Sequence, residues 1–191
     1  MIWAIGIGYL LGSIPFGLLL VRFVTGRDVR SIGSGNIGTT NVLRTGSRKL
    51  AAATLLLDAG KAAAAVWIGF AAFGFHAGLA AGAAALVGHC YPVWLKFRGG
   101  KGVATFFGAL LASAPLVFGA AALTWLAVAW FTRYSSLAAL LAAAAAPVAA
   151  LALGRPWIAL LALILAGVIG WRHRENIARL RAGTESRIGG K

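Results

Sequence analysis

Acid is nearly missing from this chain. Four Asp and Glu stand against 18 Lys and Arg in 191 residues, and the four carboxylates are scattered as Asp28, Asp58, Glu175 and Glu185. Divalent metal chemistry needs carboxylates or His grouped around one point. An Asp-rich motif of the CDP-alcohol phosphotransferase kind is therefore excluded, and no metal ligand is expected. Cysteine is scarcer still. Cys90 stands alone, which rules out an intramolecular disulfide and a thiolate cluster, and its apolar surroundings supply no partner to activate it as a nucleophile. Of the three histidines, none is followed five positions later by Asp: Ala81, Trp94 and Ala178 stand there. The His-Asp signature of soluble acyltransferases is absent. The start of the chain also lacks a basic n-region and an A-x-A site, so Met1 onward reads as a first membrane span rather than a secretory signal. No internal repeat is evident.

What is present is grease and positive charge. Apolar residues make up 60% of the chain, the formal net charge is +14 and the mean hydropathy is +0.86. A nucleic-acid binder explains the charge but not the hydropathy, so no nucleic-acid partner is expected. An integral membrane protein with basic cytoplasmic loops explains both. A helix needs about 20 apolar residues to cross a bilayer core of roughly 30 Å. Ile2–Val21, Ala51–Phe75, Ala77–Leu95, Leu137–Leu153 and Trp157–Trp171 meet or approach that length, with Gly154-Arg155-Pro156 as a turn between the last two. Val103–Phe131 is too long for one crossing and holds Pro115 in its middle, so it reads as a hairpin broken near Ser113–Pro115.

The positive-inside rule orients these spans. With Met1 outside, the inside segments carry Arg22 to Lys49, Lys96 to Lys101, Arg133, and the tail from Arg172 to Lys191. Only Arg155 falls outside, and Lys61 lies within a span. The expectation is an all-α polytopic integral membrane protein of about seven transmembrane helices, some short, forming a single domain over 1–191. Its N-terminus is outside and its C-terminus cytoplasmic. A five-span version with re-entrant pieces leaves the same basic loops inside. Ala tracts at 62–65 and 142–146 suit close helix packing.

Three cytoplasmic segments are polar in an ordered way. In "SIGSGNIGTTNVLR", Gly33, Gly35 and Gly38 allow backbone N–H groups to converge as in a phosphate nest. Ser34, Asn36, Thr40 and Asn41 add neutral polar groups there, and Arg44 a planar fork suited to phosphate. In "GHCYPVWLKFRGGKGVAT", Gly99, Gly100, Lys101 and Gly102 precede the helix expected from Val103, joining a lysine to a helix N-terminus. The P-loop spacing is missing. In "WRHRENIARLRAGTESR", a helix continuing from the last span places Arg172, Asn176 and Arg179 at i, i+4 and i+7, beside His173. A Gly-Thr-Glu turn follows.

Inside the membrane, Asp58, Lys61 and His89 are costly and so become candidates for function. Asp58 and Lys61 at i, i+3 neutralise one another as a structural pair or form part of a site. His89 either lines a pocket or bonds to a neighbouring helix. His76 marks the outer boundary. Cationic clusters gathered at one membrane face imply a substrate with more than one anionic group. A lipid-facing enzyme of phosphate esters, an anion transporter, and a protein whose loops hold anionic headgroups all fit that description.

The motifs "GSGNIGTTNVLR", "GHCYPVWLKFRGGKGVAT" and "RHRENIARLRAGTESR", together with "GSIPFG" at Gly12–Gly17, resemble the cytoplasmic motifs of bacterial acyl-phosphate:glycerol-3-phosphate acyltransferases of the PlsY type. The resemblance covers essentially the whole chain. It implies transfer of a fatty acyl group from acyl phosphate to the 1-hydroxyl of glycerol 3-phosphate, giving lysophosphatidic acid and phosphate in phospholipid biosynthesis. Neither metal nor coenzyme A is implied. It makes Ser34 and Arg44 the essential polar pair, Gly99 to Gly102 the glycerol 3-phosphate site with Lys101 as its cation, and His173 and Asn176 the catalytic-region pair. Glu185 braces the tail. The implied partners are the two substrates, membrane lipids and the enzyme that supplies acyl phosphate. The implied location is the bacterial inner (cytoplasmic) membrane, with the active site on the cytoplasmic side. Thr39 stands where the family usually has Ala, Arg98 where Lys is common, and Ala62 where Gly often follows the lysine.

Overall fold

The computed structural model describes residues 1–189; Lys191, counted above among the basic tail residues, lies outside them. Every regular element in the described residues is helical. In order they are α1 (Ile2–Gly12), α2 (Phe16–Thr25), α3 (Thr39–Leu43), α4 (Arg48–Phe73), α5 (Phe75–Cys90), α6 (Val103–Ser113), α7 (Pro115–Thr132), α8 (Ser135–Ala152), α9 (Pro156–Arg172) and α10 (Arg174–Arg181). Five segments are long and apolar enough to cross a membrane: Ile2–Thr25, Arg48–Phe73, Phe75–Leu95, Pro115–Thr132 and Ser135–Ala152. Counted as one span, the bent pair α9 and α10 would make a sixth. α6 has 11 residues, about half of what a bilayer core requires. The apolar run 103–131 does break where expected, with α6 ending at Ser113 and Pro115 opening α7. The all-helical, membrane-crossing expectation holds.

The chain divides into two compact units, Met1–Ser113 and Ala114–Lys191. In the first, α4 packs against α1, α5 and α6, and α1 against α5. Small residues permit this. The backbone of α5 at Ala81 and Ala85 fills the space where Gly8 and Gly12 would carry a Cβ, and Ala59 of α4 does the same at Gly108. Gly8 and Gly12 are one turn apart on one face, the small-residue stripe that lets membrane helices touch. Ala62, Ala63 and Ala65 from the first alanine tract are buried with them.

The first span departs from the continuous helix expected over Ile2–Val21. α1 ends at Gly12 and α2 starts only after Pro15, whose ring removes the N–H a continuous helix needs. Carbonyls exposed by this break find donors elsewhere. Trp94 Nε1 donates to the Ser13 carbonyl at 2.6 Å, and Lys61 Nζ donates to that of Ile14 at 2.7 Å.

In the second unit α8 packs against both α7 and α9, and its buried face is Ala138, Ala139, Ala142, Ala143, Ala146 and Ala150. α7 presents Leu123, Leu126, Trp130 and Phe131 outward, as a lipid-facing helix must. The tail returns to the start of α8: Ile188 N–H donates to the Arg133 carbonyl at 2.7 Å, and the Arg187 guanidinium lies 5.4 Å from the Tyr134 ring centre.

Candidate active site

The first polar segment is docked before it is polar. Val29, Ile37 and Val42 are buried against Leu18, Val21, Leu50 and Ala51, and Leu95, just ahead of the second glycine segment, packs on the same cluster. Asp28 caps the short turn Val29–Ser31 by accepting from Arg30 N–H at 2.9 Å. The hydrogen bond from the Arg30 side chain is the main cause that lowers the Asp28 carboxyl to about 2.

Asn41 organises the loop above this floor. Its Nδ2 lies within 2.8–2.9 Å of the carbonyls of Val29, Ile32 and Asn36, and its Oδ1 accepts from Ser34 N–H at 3.0 Å. Two N–H groups shared among three carbonyls leave this amide engaged at both ends. It is 2% exposed, so Asn41 shapes the loop from inside.

Part of the expected nest of backbone N–H groups is engaged in the same place. Gly33 and Gly35 do adopt left-handed φ of +54° and +69°. Yet Ser34 N–H goes to Asn41, Gly35 N–H to the Ile32 carbonyl at 3.0 Å, and Gly38 N–H to Asn36 Oδ1 at 2.9 Å. Three of the loop's backbone N–H groups are thus taken up within the loop itself. Arg44 supplies a cationic side chain. A Cβ on Gly33 would lie 2.7 Å from Arg44 Nη1, so the guanidinium crosses the loop one residue from the exposed Ser34.

The second segment is held by the end of α5. Gly99 N–H donates to the Cys90 carbonyl at 3.1 Å and Gly100 N–H to that of His89 at 3.0 Å, satisfying two carbonyls that a helix C-terminus leaves over. A Cβ on Gly100 would collide with His89 Nε2, and one on Gly102 with the Leu86 side chain. Gly102, at φ +83°, turns the chain into α6, whose first-turn N–H groups and half-buried Lys101 adjoin one another as an anion site requires. Thr105 Oγ1 in that turn is buried without a hydrogen-bond partner.

Asp58, Lys61 and His89 gather into one cluster, each no more than 5% exposed. Lys61 Nζ is 2.6 Å from Asp58 Oδ1 and 3.0 Å from His89 Nδ1. The pairing of Asp58 with Lys61 follows the i, i+3 spacing, and His89 bonds across to α4. His76 is exposed at the start of α5.

In the second unit the expected straight continuation of the last span is overturned: α9 and α10 meet at 63°. His173 sits at the bend, 3% exposed, with Nδ1 2.8 Å from the Ile169 carbonyl. A carbonyl only accepts, so Nδ1 carries a proton and Nε2 is the lone-pair nitrogen of the neutral ring. Arg172 ends α9 and leaves the row, while Asn176 and Arg179 remain together on α10. Both turn to Glu185, which folds back after Gly183 at φ +70°. Asn176 Nδ2 and Ser136 Oγ donate to its Oε1 at 2.6 and 2.7 Å, and Arg179 Nε to its Oε2 at 2.7 Å. Burial pushes this carboxyl up, but those three hydrogen bonds and the Arg179 charge hold it below its usual range. Among the residues that sequence reasoning missed, Ser136 and Trp94 stand out. The only available signal for Ser136 was a Ser-Ser pair opening an apolar helix. Among the described residues no three His, Cys, Asp or Glu side chains converge to hold a metal.

The fold and these segments define a class: an all-helical membrane protein with two glycine segments suited to anions and a buried His-Asn-Glu tail. The particular family follows from comparison. The sequence pattern described as glycerol-3-phosphate acyltransferase matches residues 2–183, and this chain belongs to that family. The glycerol-3-phosphate acyltransferase of Agrobacterium fabrum is 62% identical over 185 residues, covering 97% of this chain and 90% of that protein. Its counterpart in Rhizobium etli is 60% identical over the same span and coverage. The crystal structure of PlsY (YgiH), an integral membrane glycerol 3-phosphate acyltransferase, in its glycerol 3-phosphate form superposes with a TM-score of 0.93 at 38% identity, covering 98% of this chain and 95% of that one. Its lysophosphatidic acid form gives 0.89 at 36% identity, covering 97% and 94%.

Proposed function

We propose that this chain is a glycerol 3-phosphate acyltransferase that takes its acyl group from acyl phosphate and places it on the 1-hydroxyl, releasing lysophosphatidic acid and inorganic phosphate. The observation that carries this is the pair of forms in which its solved relative occurs. Glycerol 3-phosphate and lysophosphatidic acid differ by one acyl group on a hydroxyl, so they are the acceptor and the product of one transfer.

The donor follows from chemistry. Acyl phosphate is already an activated mixed anhydride, and its leaving group is phosphate. Such a transfer asks for cations and oriented donors rather than a covalent nucleophile, and this chain is rich in the first while Cys90 is buried. Lys101 with the start of α6 holds the acceptor's phosphate, framed by Gly99, Gly100 and Gly102. Arg44 and Ser34 hold the phosphate of the donor, on a loop shaped by Gly33, Gly35, Asn36 and Asn41. The acceptor hydroxyl attacks the acyl carbon, the tetrahedral oxyanion collapses, and the carbon–oxygen bond to phosphate breaks. The departing phosphate takes the hydroxyl proton. His173 orients the hydroxyl through Nε2, and Asn176, steadied by Glu185, adds a hydrogen bond.

The whole chain serves as one acyltransferase domain in the bacterial inner membrane, with both loops and the tail on the cytoplasmic side. The clustering of Lys and Arg in those segments supports that orientation. The enzyme that makes acyl phosphate is its natural partner. Purified protein given palmitoyl phosphate and labelled glycerol 3-phosphate, with a chelator and without coenzyme A, is expected to yield lysophosphatidic acid and phosphate in equal amounts. No product under those conditions overturns the reading.

A further inference from the structure

The buried cluster of the first unit contains more order than a salt bridge needs. An ammonium has three N–H groups, and three acceptors surround Lys61 Nζ: Asp58 Oδ1 at 2.6 Å, the Ile14 carbonyl at 2.7 Å and His89 Nδ1 at 3.0 Å. The Phe16 ring, its centre 5.6 Å away, faces the same charge. His89 Nδ1 lies 3.5 Å from Asp58 Oδ1, beyond ordinary hydrogen-bond length, so the partner of the ring is Lys61. A protonated Nδ1 would set two donors head to head. Nδ1 is therefore the acceptor, and the ring proton sits on Nε2.

That second nitrogen is the one that lies against Gly100, where a Cβ would overlap it. The same residue grips Gly100 through the backbone, His89 O accepting its N–H at 3.0 Å. Ring and carbonyl of one histidine thus bracket the glycine before Lys101. We propose that His89 is a positioning residue for acceptor binding: Lys61 fixes its ring so that the Nε2 edge sets the Gly99–Gly102 turn for the phosphate of glycerol 3-phosphate. This rests on the reading that the turn takes that phosphate.

Two amide substitutions separate the roles of the two ring nitrogens. His89→Asn puts an amide oxygen near the place of Nδ1, keeping the bond to Lys61, but does not reach Gly100. His89→Gln carries an amide N–H out to the place of Nε2. KM for glycerol 3-phosphate is expected to rise about tenfold in His89→Asn, because the turn loses the Nε2 edge that sets it while the bond to Lys61 is kept, with kcat and KM for palmitoyl phosphate little changed. His89→Gln is expected to restore the KM. A purely structural link between α4 and α5 predicts the reverse order, and that result overturns the proposal, as does an equal change in both variants. Binding of labelled glycerol 3-phosphate alone to the detergent-purified protein is the second readout. Wild-type protein that neither binds it nor turns over sinks the functional reading itself. Wild-type protein that binds normally beside an unaffected His89→Asn sinks only the role of His89.

Discussion

The segment from Val29 to Arg44 turns around a buried side chain of its own, whereas the segment from Gly99 to Gly102 borrows its supports from a helix end. In the first, Asn41 reaches carbonyls at Val29, Ile32 and Asn36 and the N–H of Ser34. In the second, the carbonyls of His89 and Cys90 receive Gly100 and Gly99, and absent Cβ atoms make room for the neighbours. Both segments are rich in glycine, yet glycine does different work in each. The first needs it mainly for left-handed turns beside an exposed Ser34 and Arg44, and the second for close approach at Gly99 and Gly100, with one left-handed turn at Gly102. One loop is vulnerable through a single amide, the other through volume.

Asn41→Asp attacks the first support and carries the largest expected effect. It keeps the shape but sets a carboxylate against three carbonyls; those of Val29 and Ile32 keep the backbone N–H groups of Ile32 and Gly35, while that of Asn36 loses its donor at about 1–3 kcal/mol. Turnover should fall more than about a hundredfold while helical circular dichroism stays unchanged. Retention of wild-type turnover would show that the amide does not hold the loop. Gly100→Ala attacks the second support. Its methyl must displace the His89 ring at about 1–3 kcal/mol, and acceptor KM should rise about tenfold. A wild-type KM would mean that volume is not the constraint there. Thr39→Ala sharpens the contrast from the other side. Thr39 Oγ1 is buried without a hydrogen-bond partner, so removing it should raise thermal stability by up to about 1 kcal/mol and leave rates unaltered. A lowered Tm would reveal a use for that hydroxyl.

Much of the frame was legible because membrane spans are written in run length and punctuation. Pro115 and Gly154-Arg155-Pro156 divide apolar runs where the helices do end. The three polar segments stood out against apolar neighbours, and the pairing of Asp58 with Lys61 followed from their spacing. The break before Pro15 was less legible, since Ile2–Val21 is long enough to cross unbroken and prolines occur within membrane helices. What the sequence left open is tertiary. An asparagine amide looks the same whether it faces a ligand or its own backbone, so Asn41 read as a ligand donor. His89 meets Lys61 across 28 positions, a distance at which periodicity is silent. The 63° bend falls at His173, whose ring reaches the Ile169 carbonyl one turn back, and the helical pattern runs through that point without a break.

The break in the first span also bears on how the protein enters its membrane. Ser13 and Ile14 lie near the middle of Ile2–Thr25, where no water answers a carbonyl and an unmet one costs several kcal/mol. The Ser13 carbonyl takes its donor from the Trp94 side chain, and that of Ile14 accepts from the Lys61 ammonium beside Phe16 N–H; both side chains leave the ribosome long after the span itself. The break in the opening span thus gains its full set of donors only once α4, and then the end of α5, lie beside it. Lys61, awkward in lipid by itself, arrives to find that carbonyl waiting.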